Sequence, residues 1–169
     1  MSELKAMAKP REKSILTFQY YNLMVSCLEQ EGNFDRIVEI REKVKKLLST
    51  LKEKSNLAAN GRQLLTIIDG VLTVHRQNIT RAKEIYEELY ENASFTLSRL
   101  TALWKLAQLD HLTGANRSAA DHCEYIIDAG GTTFFVKEAE SLLPQCRRPV
   151  QVEETSCDES LEDESDGTE

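Results

Sequence analysis

A chain of 169 residues, 41% hydrophobic and 29% charged, has room for one domain with a buried core. Its formal charge of −7 is uneven: residues 151–169 hold nine acids and no base, leaving 19 acids against 21 bases in a body near +2. The most apolar run, "LLTIIDGVLTV" (64–74), is short and carries Asp69, so no membrane span is expected, and the polar start "MSELKAMAKPREK" is unlike a secretory leader.

The first predicted helix covers about 12–31, with Ile15, Phe18, Val25 and Leu28 as its stripe and Gly32 as the C-terminal stop. The second runs from about 34 to 54. Its Ile37, Ile40, Val44, Leu47 and Leu51 recur at spacings of 3, 4, 3 and 4, with Arg41, Lys43, Lys45 and Lys46 on or beside the solvated side. "SNLAANG" (55–61) reads as a break. A third helix, about 62–76, is apolar on more than one side through Leu64, Leu65, Ile67, Ile68, Val71, Leu72 and Val74, which predicts a position between neighbours.

The fourth helix, 79–92, places Ile79, Ala82, Ile85, Tyr86 and Leu89 inward, with Asn78 suited to accept from an N–H of the first turn. The fifth, about 95–112, contains Leu97, Leu100, Leu103, Trp104, Ala107 and Leu109. "LTGAN" turns the chain into a sixth, 116–129, with Ala119, Cys123, Ile126 and Ile127. After "DAGGTT", Thr132 or Thr133 can cap a last short helix, 134–143, which Pro144 is expected to close. β-Branched residues are scattered and period-two alternation is not sustained, so the expected class is all-α.

Three turns repeat: "GNFDRIVEI" (32–40), "QNITRAKEI" (77–85) and "GANRSAADH" (114–122), at spacings of 45 and 37 residues. Each follows one apolar helix and opens another. Such a period indicates stacked helix pairs, because one pair alone cannot cover its apolar face. In the second unit Gly70 and Ala82 take the small positions of the two helices, and Tyr86 follows; in the third, Ala107 and Ala119 do so, with Cys123 after them.

On these residues the chain resembles the tetratricopeptide repeat, and its later part is similar to small bacterial proteins of that type. The likeness covers about 15–130 and is strongest over 63–130. The first unit departs from the pattern, with Val25, Ile37 and Arg41 at those positions, and Ser49, Ser94 and Gly131 stand where the family has its helix-ending proline. The resemblance implies a stack of about seven antiparallel helices, an α-solenoid over residues 12–145. Residues 1–11 read as a flexible start and 146–169 as a disordered acidic tail, since a charge block without aromatics cannot bury enough surface to offset its ordering entropy.

The four cysteines (27, 123, 146 and 157) have no CxxC spacing, and the pattern reads as reduced, cytoplasmic usage. His111, His122 and Cys123 are the strongest metal candidates, yet ten residues separate the histidines and adjacent side chains diverge by about 100° on a helix. No GxSxG elbow or GxxxxGK[ST] loop occurs, so neither an enzyme nor a cofactor is expected. The basic residues from Arg41 to Lys46 are interspersed with acids and lack stacking aromatics, so nucleic acid is not an expected partner.

The resemblance implies instead a protein or peptide partner on the concave face of the first helices. By position that face takes Asn22 and Ser26, then Ile67, Val71 and His75, then Trp104, Gln108 and His111. The alternative is a structural homo-oligomer, for example a homodimer, assembling through the 37–51 seam or through an exposed end of the stack.

Overall fold

The computed structural model of the chain describes residues 10–130 and 134–148. Seven helices account for almost all of them, and no strand occurs among the described residues: α1 (Pro10–Gln30), α2 (Phe34–Leu48), α3 (Asn56–His75), α4 (Ile79–Asn92), α5 (Thr96–Leu112), α6 (Asn116–Gly130) and α7 (Phe134–Cys146). The capping threonines 132 and 133, and nearly all of the segments assigned as flexible start and acidic tail, lie outside the described residues. None of the described helices is long and apolar enough to cross a membrane.

The three repeated turns share one backbone device. Gly32, Gln77 and Gly114 each adopt a positive φ, of 70°, 61° and 77°. In each turn the following N–H reaches back across the helix end: Asn33 to Leu28 O at 2.9 Å, Asn78 to Thr73 O at 3.2 Å and Ala115 to Asp110 O at 2.8 Å. These bonds satisfy carbonyls that the helix end would leave bare. Asn33 and Asn78 then cap the next helix, accepting from Arg36 N at 3.4 Å and Arg81 N at 3.1 Å. Gln77 holds without glycine's freedom a position where a side chain ordinarily costs about 1 kcal/mol.

Three boundaries differ from the sequence-based expectation. α2 ends at Leu48 instead of near 54. The Ser49 and Thr50 hydroxyls donate back to Lys46 O and Leu47 O at 2.8 and 2.7 Å, offering the backbone an alternative to further helix. "SNLAANG" is the first turn of α3 and not a break: Ser55 Oγ accepts from Ala58 N at 3.1 Å and the helix starts at Asn56. Pro144 lies inside α7, which continues to Cys146. A proline so near the C-terminus removes one hydrogen bond from a turn that is about to end.

Helices stack in chain order, and the odd helices also touch one another, α1 with α3, α3 with α5 and α5 with α7. The core is divided accordingly. Phe18, Val25 and Leu28 of α1 meet Ile37, Ile40 and Val44 of α2 and Leu64, Ile68, Val71 and Leu72 of α3. Ile67, on another side of α3, meets Ala82, Tyr86 and Leu89 of α4 and Ala102, Leu106 and Leu109 of α5. Leu100, Leu103, Trp104 and Ala107 of α5 meet Cys123 and Ile126 of α6 and Val136 and Ala139 of α7. α3 and α5 each supply two clusters, which is why neither reads as a one-sided helix. The 37–51 seam faces the first cluster, so its Ile37, Ile40 and Val44 are buried inside the chain.

Close approach sets how α3 packs, both within its own pair and against the first. A Cβ added to Gly70 would collide with the Tyr86 ring and lie 2.7 Å from its hydroxyl; one added to Gly61 would lie 2.6 Å from Leu48 Cδ2 and 2.7 Å from Phe18 Cζ. Gly32 has open space around it. Gly70→Ala is therefore expected to destabilise the fold by about 3 kcal/mol through overpacking, and Gly32→Ala by about 1 kcal/mol through its backbone alone. Urea titration of the two variants checks the order.

Candidate functional site

The odd helices line a continuous depression. Its first part, about 290 Å³, takes Asn22, Val25, Ser26 and Glu29 from α1, Ile67 and Val71 from α3, Thr101, Trp104, Lys105 and Gln108 from α5, and Phe134, Phe135 and Glu138 from α7. A second part, about 470 Å³, shares Glu29, Trp104, Lys105, Gln108 and Glu138. It extends past His111 and Leu112 to Ser141, Leu142 and Gln145. The spacing 22, 26, 29 on α1 and 104, 108, 111 on α5 keeps each set on one side of its helix.

Seven of the eight residues assigned to the concave face therefore meet along one groove. Asn22 and Ser26 form one wall, and Ser26 Oγ donates to Asn22 O at 3.3 Å. Ile67 and Val71 are buried in the floor, and Gln108 is exposed on the opposite wall. His111 lies at the far end, with Nδ1 2.9 Å from Asn116 Oδ1 and 3.7 Å from Cys146 Sγ. His75 is elsewhere. It sits at the exposed end of α3 with its ring stacked on Phe34, centroids 3.7 Å apart and planes 11° from parallel. There it fastens the end of α3 to the start of α2.

Trp104 has two roles. It is 9% exposed and packed among Leu100, Leu103, Ala107 and Val136, yet it lines both parts of the groove. Its ring is the last layer of core and the first layer of site.

The sequence reading missed the polar centre of the groove. Lys105 Nζ donates to both oxygens of Glu29, at 2.6 and 2.7 Å, linking α1 to α5 across 76 positions of sequence. Both side chains are largely covered. Glu29 stands one further step along the face of Asn22 and Ser26, so helical periodicity could have named it. The contribution of α7 had no such signal, because that helix has no partner helix after it among the described residues to mark a fourth pair.

Outside the groove, Asp110 forms a buried knot between α4, α5 and α6. Lys83 Nζ lies 2.6 Å from Oδ1, and Ser118 Oγ donates to Oδ2 at 2.6 Å. Lys83 also donates to Thr113 Oγ1 at 2.9 Å. His122 Nδ1 is 3.3 Å from Oδ2 but not aligned to bond. His111 and His122 thus lie in different surroundings, the first bonded to Asn116 and the second beside Asp110. Among the described residues no group of three or more His, Cys, Asp or Glu side chains is placed to hold a metal. On α2, Arg41 donates to Asp69 Oδ1 at 2.5 Å and Lys45 to Glu42 at 3.1 Å, so acids balance much of that basic stretch.

Burial pushes the Cys123 thiol up to about 11, reinforced by the neighbouring Cys146, and burial likewise raises Cys146. Both are protonated packing groups at neutral pH, whereas Cys27 is exposed. Comparison with family models, curated proteins and solved structures returns no match, so the functional reading rests on this geometry.

Three outcomes follow from these contacts. Asp110→Ala is expected to cost about 3 kcal/mol, since it strands Lys83 and Ser118 in a covered site; thermal or urea unfolding measures it. In dilute native protein near neutral pH, Cys27 is expected to react with a thiol reagent roughly 100-fold faster than Cys123 or Cys146. Because the folded thiol of Cys123 titrates above an unfolded one, its neutral form contributes stability below about pH 8.5. That contribution is lost as pH rises toward 11, which unfolding curves taken across this range record.

Proposed function

We propose that this chain is a non-catalytic protein-interaction module of the tetratricopeptide type, which receives a peptide or helix in the groove of its odd helices. The observation that carries this reading is the groove itself: four helices distant in sequence present one continuous face, apolar in its floor and polar at its rim. Ile67, Val71, Trp104 and Phe135 offer a place for an apolar anchor. The Glu29–Lys105 pair, with Asn22, Ser26 and Gln108, offers polar groups that fix the register of a bound backbone.

A buried aromatic floor surrounded by polar groups is the arrangement in which a few residues dominate binding energy. The free thiols fit a reducing, cytoplasmic setting for such a module.

Trp104→Ala is a poor probe of the groove, because emptying a packed aromatic position costs about 3 kcal/mol of stability. Ser26→Arg with Gln108→Arg alters only exposed walls. Peptides selected from a displayed random library on the wild-type chain are expected to carry a large apolar anchor. The double variant should bind them at least about tenfold more weakly by calorimetry, with unchanged circular dichroism. Equal affinity for both proteins would remove the groove as the binding site.

A further inference from the structure

Residues 14–28 contain no charged side chain, in a chain of which 29% is charged. α1 carries three faces over this stretch. Phe18, Val25 and Leu28 are buried in the first core cluster, and Asn22 and Ser26 belong to the groove. Leu16, Tyr20, Leu23 and Cys27 form the third; at 100° per residue they fall within an arc of about 60°. Leu16, Tyr20 and Leu23 are 58%, 59% and 65% exposed, and Cys27 is exposed as well. α1 packs chiefly on α2 and α3, and the exposure of Leu16, Tyr20 and Leu23 leaves this third face open among the described residues.

We infer that this face of α1 is a homodimer interface, on which α1 of a second copy docks. The spacings of 4, 3 and 4 along Leu16, Tyr20, Leu23 and Cys27 are those of a two-helix seam. The positions flanking the seam, Thr17, Gln19, Met24 and Ser26, carry no charge either. Two copies meeting here bring no like charges together. A partner of different sequence is ordinarily chosen and steered by complementary charge, and this face offers none. An apolar, uncharged patch that is its own complement suits an isologous contact, which closes at two copies.

The seam is short. Its residues and their flanks would cover roughly 400 Å² per copy, about 800 Å² in all, below the usual range for a stable complex. The dimer is therefore weak and transient, forming toward the upper end of the concentrations tested. It leaves the groove wall of Gln108 and α7 open; Ser26 borders both surfaces, so the Leu23→Lys monomer is what separates dimerisation from peptide binding.

Sedimentation equilibrium of the full chain from about 1 to 500 µM tests the inference. The wild-type mass is expected to rise from 19.2 kDa toward twice that value. Leu23→Lys, at an exposed position, is expected to remain at 19.2 kDa with unchanged helicity, while Tyr125→Lys, exposed on α6 away from α1, dimerises like the wild type. A wild-type chain that stays monomeric throughout overturns the second-copy assignment, including the case in which another protein covers the face. A Leu23→Lys chain that dimerises as well as the wild type overturns the α1 face. Peptide binding by the Leu23→Lys monomer is read separately and bears only on the groove.

Discussion

The structure depends on one close contact: the ring of Tyr86 lying directly on the backbone at Gly70. Any side chain at 70 would hold α3 and α4 apart by the thickness of a methyl group. With glycine there, the ring is fully buried, and its hydroxyl has no protein partner. Burial and the nearby carboxylate of Glu29 push that hydroxyl far above its ordinary range, so it stays neutral. Burying an unbonded hydroxyl costs free energy, and packing of the ring offsets it. The contact fixes the distance within the second pair, and through α3 it sets how Ile67 and Val71 stand in the groove floor.

Outward from that pair, stability is assembled by neighbours. The three larger core clusters each join three successive helices, α3 and α5 are shared between them, and a small fourth joins α6 to α7. No cluster spans the whole molecule, as expected of a stacked helical array in which each layer is covered by the next. Two ionic contacts cross this pattern. Asp110 ties α4, α5 and α6 at the outer side of the third turn, and Glu29–Lys105 ties α1 to α5 across the groove. The first is buried and paired at both carboxylate oxygens, which makes it structural. The second lies in an open depression, where a ligand can compete with it.

Trp104 shows why site and core are hard to separate in such an array. The concave face is built from the inner sides of the odd helices, and those sides must also pack on one another. A large ring can fill both needs, so it is a weak marker of binding and a strong marker of position. Exposed Ser26 and Gln108 are energetically dispensable to the fold, and they report on the groove more cleanly.

Much of this was legible in the sequence. Helical periodicity gave seven helices, and the three similar turns announced a repeated pair, because an αL position followed by a capping residue leaves a local signature. The small residues Gly70, Ala82, Ala107 and Ala119 marked where the helices pack, and seven of the residues assigned by resemblance to the concave face line one depression. Helix ends were less legible. The hydroxyl bonds at Ser49 and Thr50, and the glycine at 61, act through contacts that a periodicity count does not include; Gly61 looks like a breaker until Phe18 and Leu48 are seen against it. His75 was misplaced because position along a helix says which side a residue faces but not how far the neighbouring helices extend. The sequence alone determined helices, turns and inward faces, since these depend on residues three or four apart. Only the tertiary structure decided that Glu29 meets Lys105, that α7 lines the groove and that one face of α1 stands exposed among the described residues, because those facts depend on distances between helices far apart in the chain.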